Sequence, residues 1–470
     1  MKQPRNVTAL ALLAGLVVTV AAGAEPLQAH QQQLRDIYRE LVEINTTHSV
    51  GDTHAAAEAM AARLRVAGFP SDDIHTFMPE PRKGNLVVHL HGNAKRRPIL
   101  LLAHLDVVEA RREDWSVDPF ALVEKDDFFY GRGSGDDKAM AAIFIANLIR
   151  YREEGYVPER DIIVALTSDE ETGGGMGVPW LLANHRDLID AELALNEGGG
   201  GAYRGGKNLY NAVQASEKIY YDYRLEVHNK GGHSSLPIKD NAITRLAQGL
   251  SKLGAYDFPV HLDEVNRAYF QRMAGMVEGQ VAVDMREMTR PKPDPAAIRR
   301  LAGANPNYNA RLRTTCVATM LDGGHAPNAL PQRAGAIVNC RVMPGETEAS
   351  LKTTLVKVLD DDQISITPTD LEYLPSPPSP LTPELMGAVE KVTAEMWPGL
   401  PILPIMSTGA TDSRYLRDAG IAAYGTSGMF YDIDDNRAHG RDERIRVSSL
   451  YDGQEYLYRL VKLLAGASSK

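Results

Sequence analysis

Downstream of Asn85 the chain alternates short apolar runs with longer amphipathic stretches, a pattern that predicts an α/β sheet. Residues 86–90, 99–102, 162–166 and 193–195 are apolar at nearly every position. Strands buried on both faces read this way, because neither set of alternating side chains meets water. Residues 138–151 read as a helix between two of them. Two more helices are expected earlier, over 34–44 and over the Ala-rich 55–66, with Gly68 and Pro70 as a stop.

The texture changes near Gln214. Tyr221, Tyr223, Leu225 and Val227 alternate with polar residues, as a strand with one wet face should. Asp240 is placed to cap a helix ending at Leu253. Strands over 314–321 and 336–342, a helix over 347–359 and a strand over 364–367 follow. Together they predict a compact α+β unit, a sheet covered by two helices. A Pro- and Ser-rich linker over 375–383 leads back to α/β texture, with helices over 384–396 and 450–464 and a strand over 421–424. The polar, Pro-containing stretch 258–306 is taken as an elaboration of the inserted unit. The expected fold class is therefore α/β, with a mixed central sheet flanked by helices and interrupted by a smaller α+β domain. The expected divisions are 1–24, 25–213, 214–375 and 376–470.

Residues 1–24 read as an address. Lys2 and Arg5 precede an apolar run that ends in Ala22-Gly23-Ala24, the pattern of a cleavable signal peptide. The run is short for a membrane span, which needs roughly 20 apolar residues, and no Cys stands at the cut. A periplasmic or secreted protein with no membrane anchor is expected. Removing Lys2 and Arg5 takes the formal net charge from −10 to near −12. An acidic surface without a basic cluster argues against nucleic acid. Two cysteines, Cys316 and Cys340, exclude a thiolate zinc site and a disulfide framework. They flank an expected hairpin and could oxidise across it, but two buried free thiols are the preferred reading, since disulfide geometry is demanding.

Candidate chemistry collects at the ends of the apolar strands. His104 and Asp106 follow the second run, at the carboxyl edge where α/β sheets place ligands. Alone, His-x-Asp is no more than a chance pair. Gly131-Arg132-Gly133-Ser134-Gly135-Asp136-Asp137 opens the 138–151 helix. A glycine-rich loop at a helix start can hold phosphate, yet two carboxylates stand at this entrance and favour a cation. Asp136 could bridge two metal ions or merely cap the helix. Glu170 and Glu171 follow the third run; one can ligate a metal while the other takes a proton from water, against a solvated acidic turn as the plain alternative. Glu197 follows the fourth run, and His439 lies in Arg437-Ala438-His439-Gly440-Arg441-Asp442-Glu443. The ordered set offers five ligands, enough for two metals sharing Asp136, plus a base.

In these motifs the chain resembles the M20 family of co-catalytic zinc metallopeptidases, which includes carboxypeptidase G2, carnosine dipeptidases, a desuccinylase, aminoacylase and carboxypeptidase S. Ala103-His104-Leu105-Asp106, Gly131-Arg132-Gly133 with Asp136-Asp137-Lys138, Glu170-Glu171, Glu197-Gly198 and His439 stand in the family's order. The resemblance implies a zinc-exopeptidase-like catalytic domain and a ferredoxin-like lid that dimerises. It implies two divalent metal ions, zinc first, with cobalt or manganese as alternatives. His104 and Glu197 would bind one metal and Glu171 and His439 the other, bridged by Asp136. Glu170 would be the base, Asp106 would hold the His104 ring, and the Asp136-Asp137 peptide would be cis. His233, in Gly231-Gly232-His233, matches a lid histidine that reaches the partner subunit's site in dimeric members. Asn328, Arg341 and Arg414 match positions that contact substrate. The implied activity is amide hydrolysis, on dipeptides or short peptides with a free C-terminus, or alternatively on N-acyl amino acids. A scaffold that kept the metals and lost activity, and a nucleotide-binding module, are the readings from other classes.

Overall fold

The four apolar runs become neighbouring strands of one sheet, and each of them feeds two cores at once. In this computed structural model, which describes residues 26–173, 175–369 and 372–466, they are Lys83–Leu90, Ile99–His104, Ile162–Thr167 and Leu193–Asn196. Leu86, Val88, Leu101, Val164 and Leu195 pack with residues of the helices Ala29–Glu43, Thr53–Val66, Lys138–Glu153 and Val447–Ala465. The intervening Val87, Leu100, Ile163 and Ala194 pack on the opposite face with Val178, Leu181 and Leu416. Successive strand side chains point to opposite faces, so a sheet between two helix layers requires an apolar residue at every step. The expected signal peptide lies outside the described residues. Among the described residues no helix is long and apolar enough to cross a membrane.

The large sheet has ten strands among the described residues. Its centre places Ile162–Thr167, Ile99–His104, Leu193–Asn196 and Ala422–Gly425 side by side and parallel. Lys83–Leu90 runs antiparallel on the outer side of Ile162–Thr167, so the sheet is mixed.

A second, wholly antiparallel sheet is formed by Ile219–His228, Thr315–Gly323, Arg333–Val342 and Ile364–Pro368. Helices Ala242–Gly254 and Glu348–Leu359 follow its first and third strands. The spatial order is second, third, first, fourth, the ferredoxin-like βαββαβ arrangement. Ile219, Tyr221, Tyr223, Leu225 and Val227 face the helices and are buried.

Four expectations change. The strand Lys207–Glu217 stays in the large sheet through Glu217, so the chain changes sheets at Lys218 rather than at Gln214. The stretch 258–306 is helical over most of its length: Glu264–Met273, Gly279–Met288 and Pro295–Ala304, with Pro306–Leu312 just beyond it. These helices do not elaborate the inserted sheet. Phe270, Met285, Leu301 and Leu312 share a core with Tyr210, Leu403 and Ile405 of the large sheet. Asn241, not Asp240, caps the next helix, accepting from the amides of Ile243 and Thr244, while Asp240 pairs with Arg245. Finally, Cys316 and Cys340 form a disulfide rather than two free thiols, because the register sets them directly opposite on adjacent strands.

Candidate functional site

Three parallel neighbours end at one edge of the large sheet, and their carboxyl ends carry the acidic and imidazole groups. His104 is the last residue of its strand and sits in register with Thr167. Glu170 and Glu171 lie just past Thr167, and Glu197 follows Asn196 directly. With strands roughly 4.8 Å apart, these side chains converge without any long excursion of the chain. Asp136 comes from the glycine-rich turn before Lys138–Glu153, and His439 from the loop before Arg444–Arg446.

Asp136 occupies the middle. One of its carboxylate oxygens lies 3.1 Å from His104 Nε2 and the other 3.1 Å from His439 Nε2. Glu197 stands 4.0 Å from His104 on the first side, and Glu171 stands 3.1 Å from His439 on the second. Glu170 offers an oxygen close to donor atoms of both His104 and Glu197. The helix-capping alternative for Asp136 fails, since Asp137 holds the cap position and neither carboxylate caps the helix. The Asp136-Asp137 peptide is cis.

Asp106 is buried beside this group; its carboxylate lies 3.7 Å from His104 Nδ1, beyond hydrogen-bond distance, and acts on the ring through its charge. The main-chain oxygen of Asp106 is the hydrogen-bond partner of Nδ1, at 2.9 Å. Its carboxylate instead accepts the backbone N–H groups of Glu170 at 3.2 Å and Glu171 at 3.0 Å. Asp106 therefore links the His104 strand end to the Glu170-Glu171 turn.

The charge balance of the cluster calls for a cation. Burial pushes the Glu170 and Glu197 carboxyls well above their usual range, and neighbouring carboxylates add to this, Asp412 and Glu171 for Glu170, Glu170 and Asp136 for Glu197. Burial works against a charge on His104, yet the Asp106, Asp136 and Glu197 carboxylates hold it well above its ordinary value. Asp136 and Glu171 raise His439 to about 10. Glu171 Oε1 is buried without a hydrogen-bond partner. Two ligands each about 2.1 Å from a zinc ion, at a tetrahedral angle, stand about 3.4 Å apart, close to the 3.1–4.0 Å separations here. The donor set thus fits a pair of divalent ions, His104 and Glu197 on one side of Asp136, Glu171 and His439 on the other.

The glycine-rich loop is organised by a residue that sequence reasoning missed. The Glu443 carboxylate, almost fully buried, accepts the backbone N–H groups of Gly133 at 3.1 Å, Gly135 at 2.8 Å and Asp136 at 3.1 Å. Arg132 donates to it at 2.6 Å and to the Gly440 carbonyl at 2.9 Å. The amides that a phosphate would need are already taken by the chain's own carboxylate, which removes the nucleotide-loop reading. Asp412 is a second missed residue; burial raises it to about 7, beside Thr167 and Arg414. Glu443 stands within the motif quoted for His439 and Asp412 stands two positions before Arg414, so an acid close to a candidate site residue was the available signal.

The expected substrate contacts form two groups. His233 and Asn328 share a small hairpin, where Gly232–His233 pairs with Ala329–Leu330 and the Ser234 amide donates to the Asn328 carbonyl at 3.0 Å. Both are exposed, and among the described residues no hydrogen bond or ion pair links them to the cluster within the chain. Arg341 lies over the Tyr220 ring at 4.4 Å, close enough to Arg414 to feel its charge. Arg414 donates to the Tyr415 hydroxyl at 2.6 Å and sits against Gly173, next to the Glu170-Glu171 turn.

Residues 100–463 match the Peptidase family M20/M25/M40. A probable carboxypeptidase S-like 2 from Dictyostelium discoideum is 28% identical over 375 residues, covering 78% of this chain and 71% of the relative. An N-fatty-acyl-amino acid synthase/hydrolase PM20D1 from Homo sapiens is 29% identical over 382 residues, covering 78% and 74%. Among solved structures, the M20 family metallo-carboxypeptidase Sso-CP2 from Sulfolobus solfataricus matches with a TM-score of 0.68 at 18% identity, covering 92% of this chain and 99% of that one.

Proposed function

The chain belongs to the peptidase family M20/M25/M40, and on that premise we propose that it is a two-metal hydrolase that cleaves the amide bond before a free C-terminal amino acid in dipeptides and short peptides. The observation that carries this reading is the placement of the two Asp136 oxygens against His104 and His439 at 3.1 Å each, with Glu170 beside them. Zinc is the proposed ion, because imidazole and carboxylate donors suit it, with cobalt or manganese as substitutes. When bound, the two ions polarise the scissile carbonyl and lower the pKa of the attacking water.

The chain's residues divide the remaining work. Glu170 accepts the water proton on its carboxylate and returns it to the leaving amine nitrogen, a transfer worth about 10²–10⁴-fold in rate. Asp106 fixes the backbone of Glu170 and Glu171 through their amides. Arg341 and Arg414 hold the free carboxylate of the substrate, for which a planar guanidinium is suited. Asn328 contacts substrate, and His233 donates to the developing oxyanion from the partner subunit of a homodimer formed through the ferredoxin-like domain. Support for that dimer is the edge strand Thr315–Gly323, which exposes Val317, Met320 and Leu321. The leader over 1–24 supports export to the periplasm or the medium.

N-acyl amino acids are the second reading. Leu236 and Ile238, 74% and 50% exposed, follow His233 within five residues and offer an aliphatic acyl chain a surface. A hydrolysis screen of dipeptides, longer peptides and N-acyl amino acids of increasing chain length, with each of the three metals, tests both. Turnover of peptides with a free carboxylate and not of their amides supports the first reading. Turnover that rises with acyl length selects the second, and no amide cleavage in any series contradicts both.

A further inference from the structure

The opposite edge of the large sheet holds another set of metal-binding side chains. His89 and His91 are two residues apart at the end of Lys83–Leu90 and therefore share a face. Leu90 pairs with Ile162, which brings Asp161, the residue before Ile162, beside His91. One ligand atom from each of His89, His91 and Asp161 lies within 4.8 Å of the others. The strand Ile162–Thr167 separates this group from the Glu170-Glu171 turn, roughly 17–20 Å away at about 3.3 Å per residue.

Each of the three side chains has its other polar atom already anchored. His89 Nε2 lies 3.0 Å from the Leu188 carbonyl oxygen. A nitrogen facing a carbonyl must carry the hydrogen, so in the neutral ring Nδ1 keeps the lone pair. His91 Nε2 lies 3.1 Å from an Asp73 carboxylate oxygen, which by the same logic leaves its Nδ1 as the acceptor. Asp161 Oδ1 accepts the Gly92 amide at 2.8 Å, leaving Oδ2, and Oδ2 stands 2.8 Å from His91 Nδ1. In a neutral ring that last pair would face lone pair to lone pair, so a positive charge, either a proton or a metal ion, belongs between them. A histidine whose far N–H is held by a carbonyl or carboxylate is the usual state of a metal-ligating imidazole.

We propose that His89, His91 and Asp161 form a third divalent-cation site, independent of the cluster around Asp136, that takes zinc, copper(II) or nickel through two imidazole nitrogens and one carboxylate oxygen. Two nitrogens and one oxygen suit these ions, while calcium and magnesium prefer all-oxygen shells. Water completes the shell, since the His91 side chain is 58% exposed. The ion ties the end of Lys83–Leu90 to the start of Ile162–Thr167, and through Asp73 to the turn before Ile74–Glu80.

The test is an ion count. The wild-type protein and the His89→Ala/His91→Ala double variant are dialysed against the same excess of zinc at pH 7.5 and measured by elemental analysis. One ion fewer per chain in the variant, with amide hydrolysis unchanged, is the expected result. Equal counts would overturn the site and leave a proton between His91 and Asp161. The quantity read is the difference between the two proteins, so failure of the two-metal reading would appear as a low total in both. Copper(II) added to the metal-free wild type and to the metal-free double variant should give a nitrogen-coupled electron paramagnetic resonance signal larger by one ion per chain in the wild type; equal signals contradict the proposal. If the double variant fails to fold, Asp161→Asn replaces it in the same count.

Discussion

Glu443 shows how a site can depend on a side chain that touches no substrate. It gathers three amides of the turn that carries Asp136 and the guanidinium that also binds the loop of His439, so it sets the distance between two proposed metal ligands. Removing one partner of a buried, hydrogen-bonded ion pair costs about 3–5 kcal/mol. Glu443→Gln is expected to lower the urea midpoint accordingly and to weaken metal binding, read by titration of the metal-free protein. Unchanged midpoint and affinity would show that the loop holds itself. The proposed ligands were legible in the sequence because each follows an apolar strand or opens a helix. Glu443 was not, since its partner Arg132 lies 311 positions away and pairing over that span leaves no local pattern. The role expected for Asp106 changed for a related reason: sequence places it near His104 but cannot say whether its carboxylate or its carbonyl faces the ring.

At the scale of elements, period and composition revealed most strands and helices, and failed where a segment's partner was distant. The helices between Glu264 and Leu312 bury apolar stripes against Tyr210 and Leu403, yet their polar faces and prolines read as an irregular insertion. The passage between the two sheets was also placed too early, because Lys207–Glu217 changes partners without changing texture. At that passage Lys218 is buried and donates to the Arg313 carbonyl at 2.7 Å. Burial pushes its ammonium down to about 7, whereas in the unfolded chain it titrates near 10.5. Between those values the unfolded chain binds the extra proton, so stability rises with pH there and is lost as pH falls through about 7. The stability of wild type relative to Lys218→Met should therefore climb from pH 7 to 10 in urea denaturation. A flat difference would contradict a neutral Lys218 in the folded protein.

At the scale of the whole molecule, the cluster sits on the large sheet while His233 and Asn328 sit on the smaller one, with no polar link between the two groups within the described residues of one chain. That division motivates the proposed dimer. Mixing His233→Ala with Glu170→Ala subunits should restore part of the activity that each lacks, because a mixed dimer contains one intact combination; no recovery would argue against a histidine supplied across subunits. The two-sheet plan was legible in the change from continuous to alternating apolar strands near Gln214, while the disulfide between Cys316 and Cys340 needed the register of two strands that only the fold supplies. The central claim, that two metal ions and the Glu170 base together cleave an amide, is tested most directly by measuring turnover of the wild type and of Glu170→Ala, each assayed with its metal content on the same peptide and N-acyl amino acid panel. The expected result is two ions per chain at the Asp136 cluster in both proteins and a loss of about 10²–10⁴-fold in the variant. Wild-type turnover in Glu170→Ala, or loss of both ions from it, would contradict the claim.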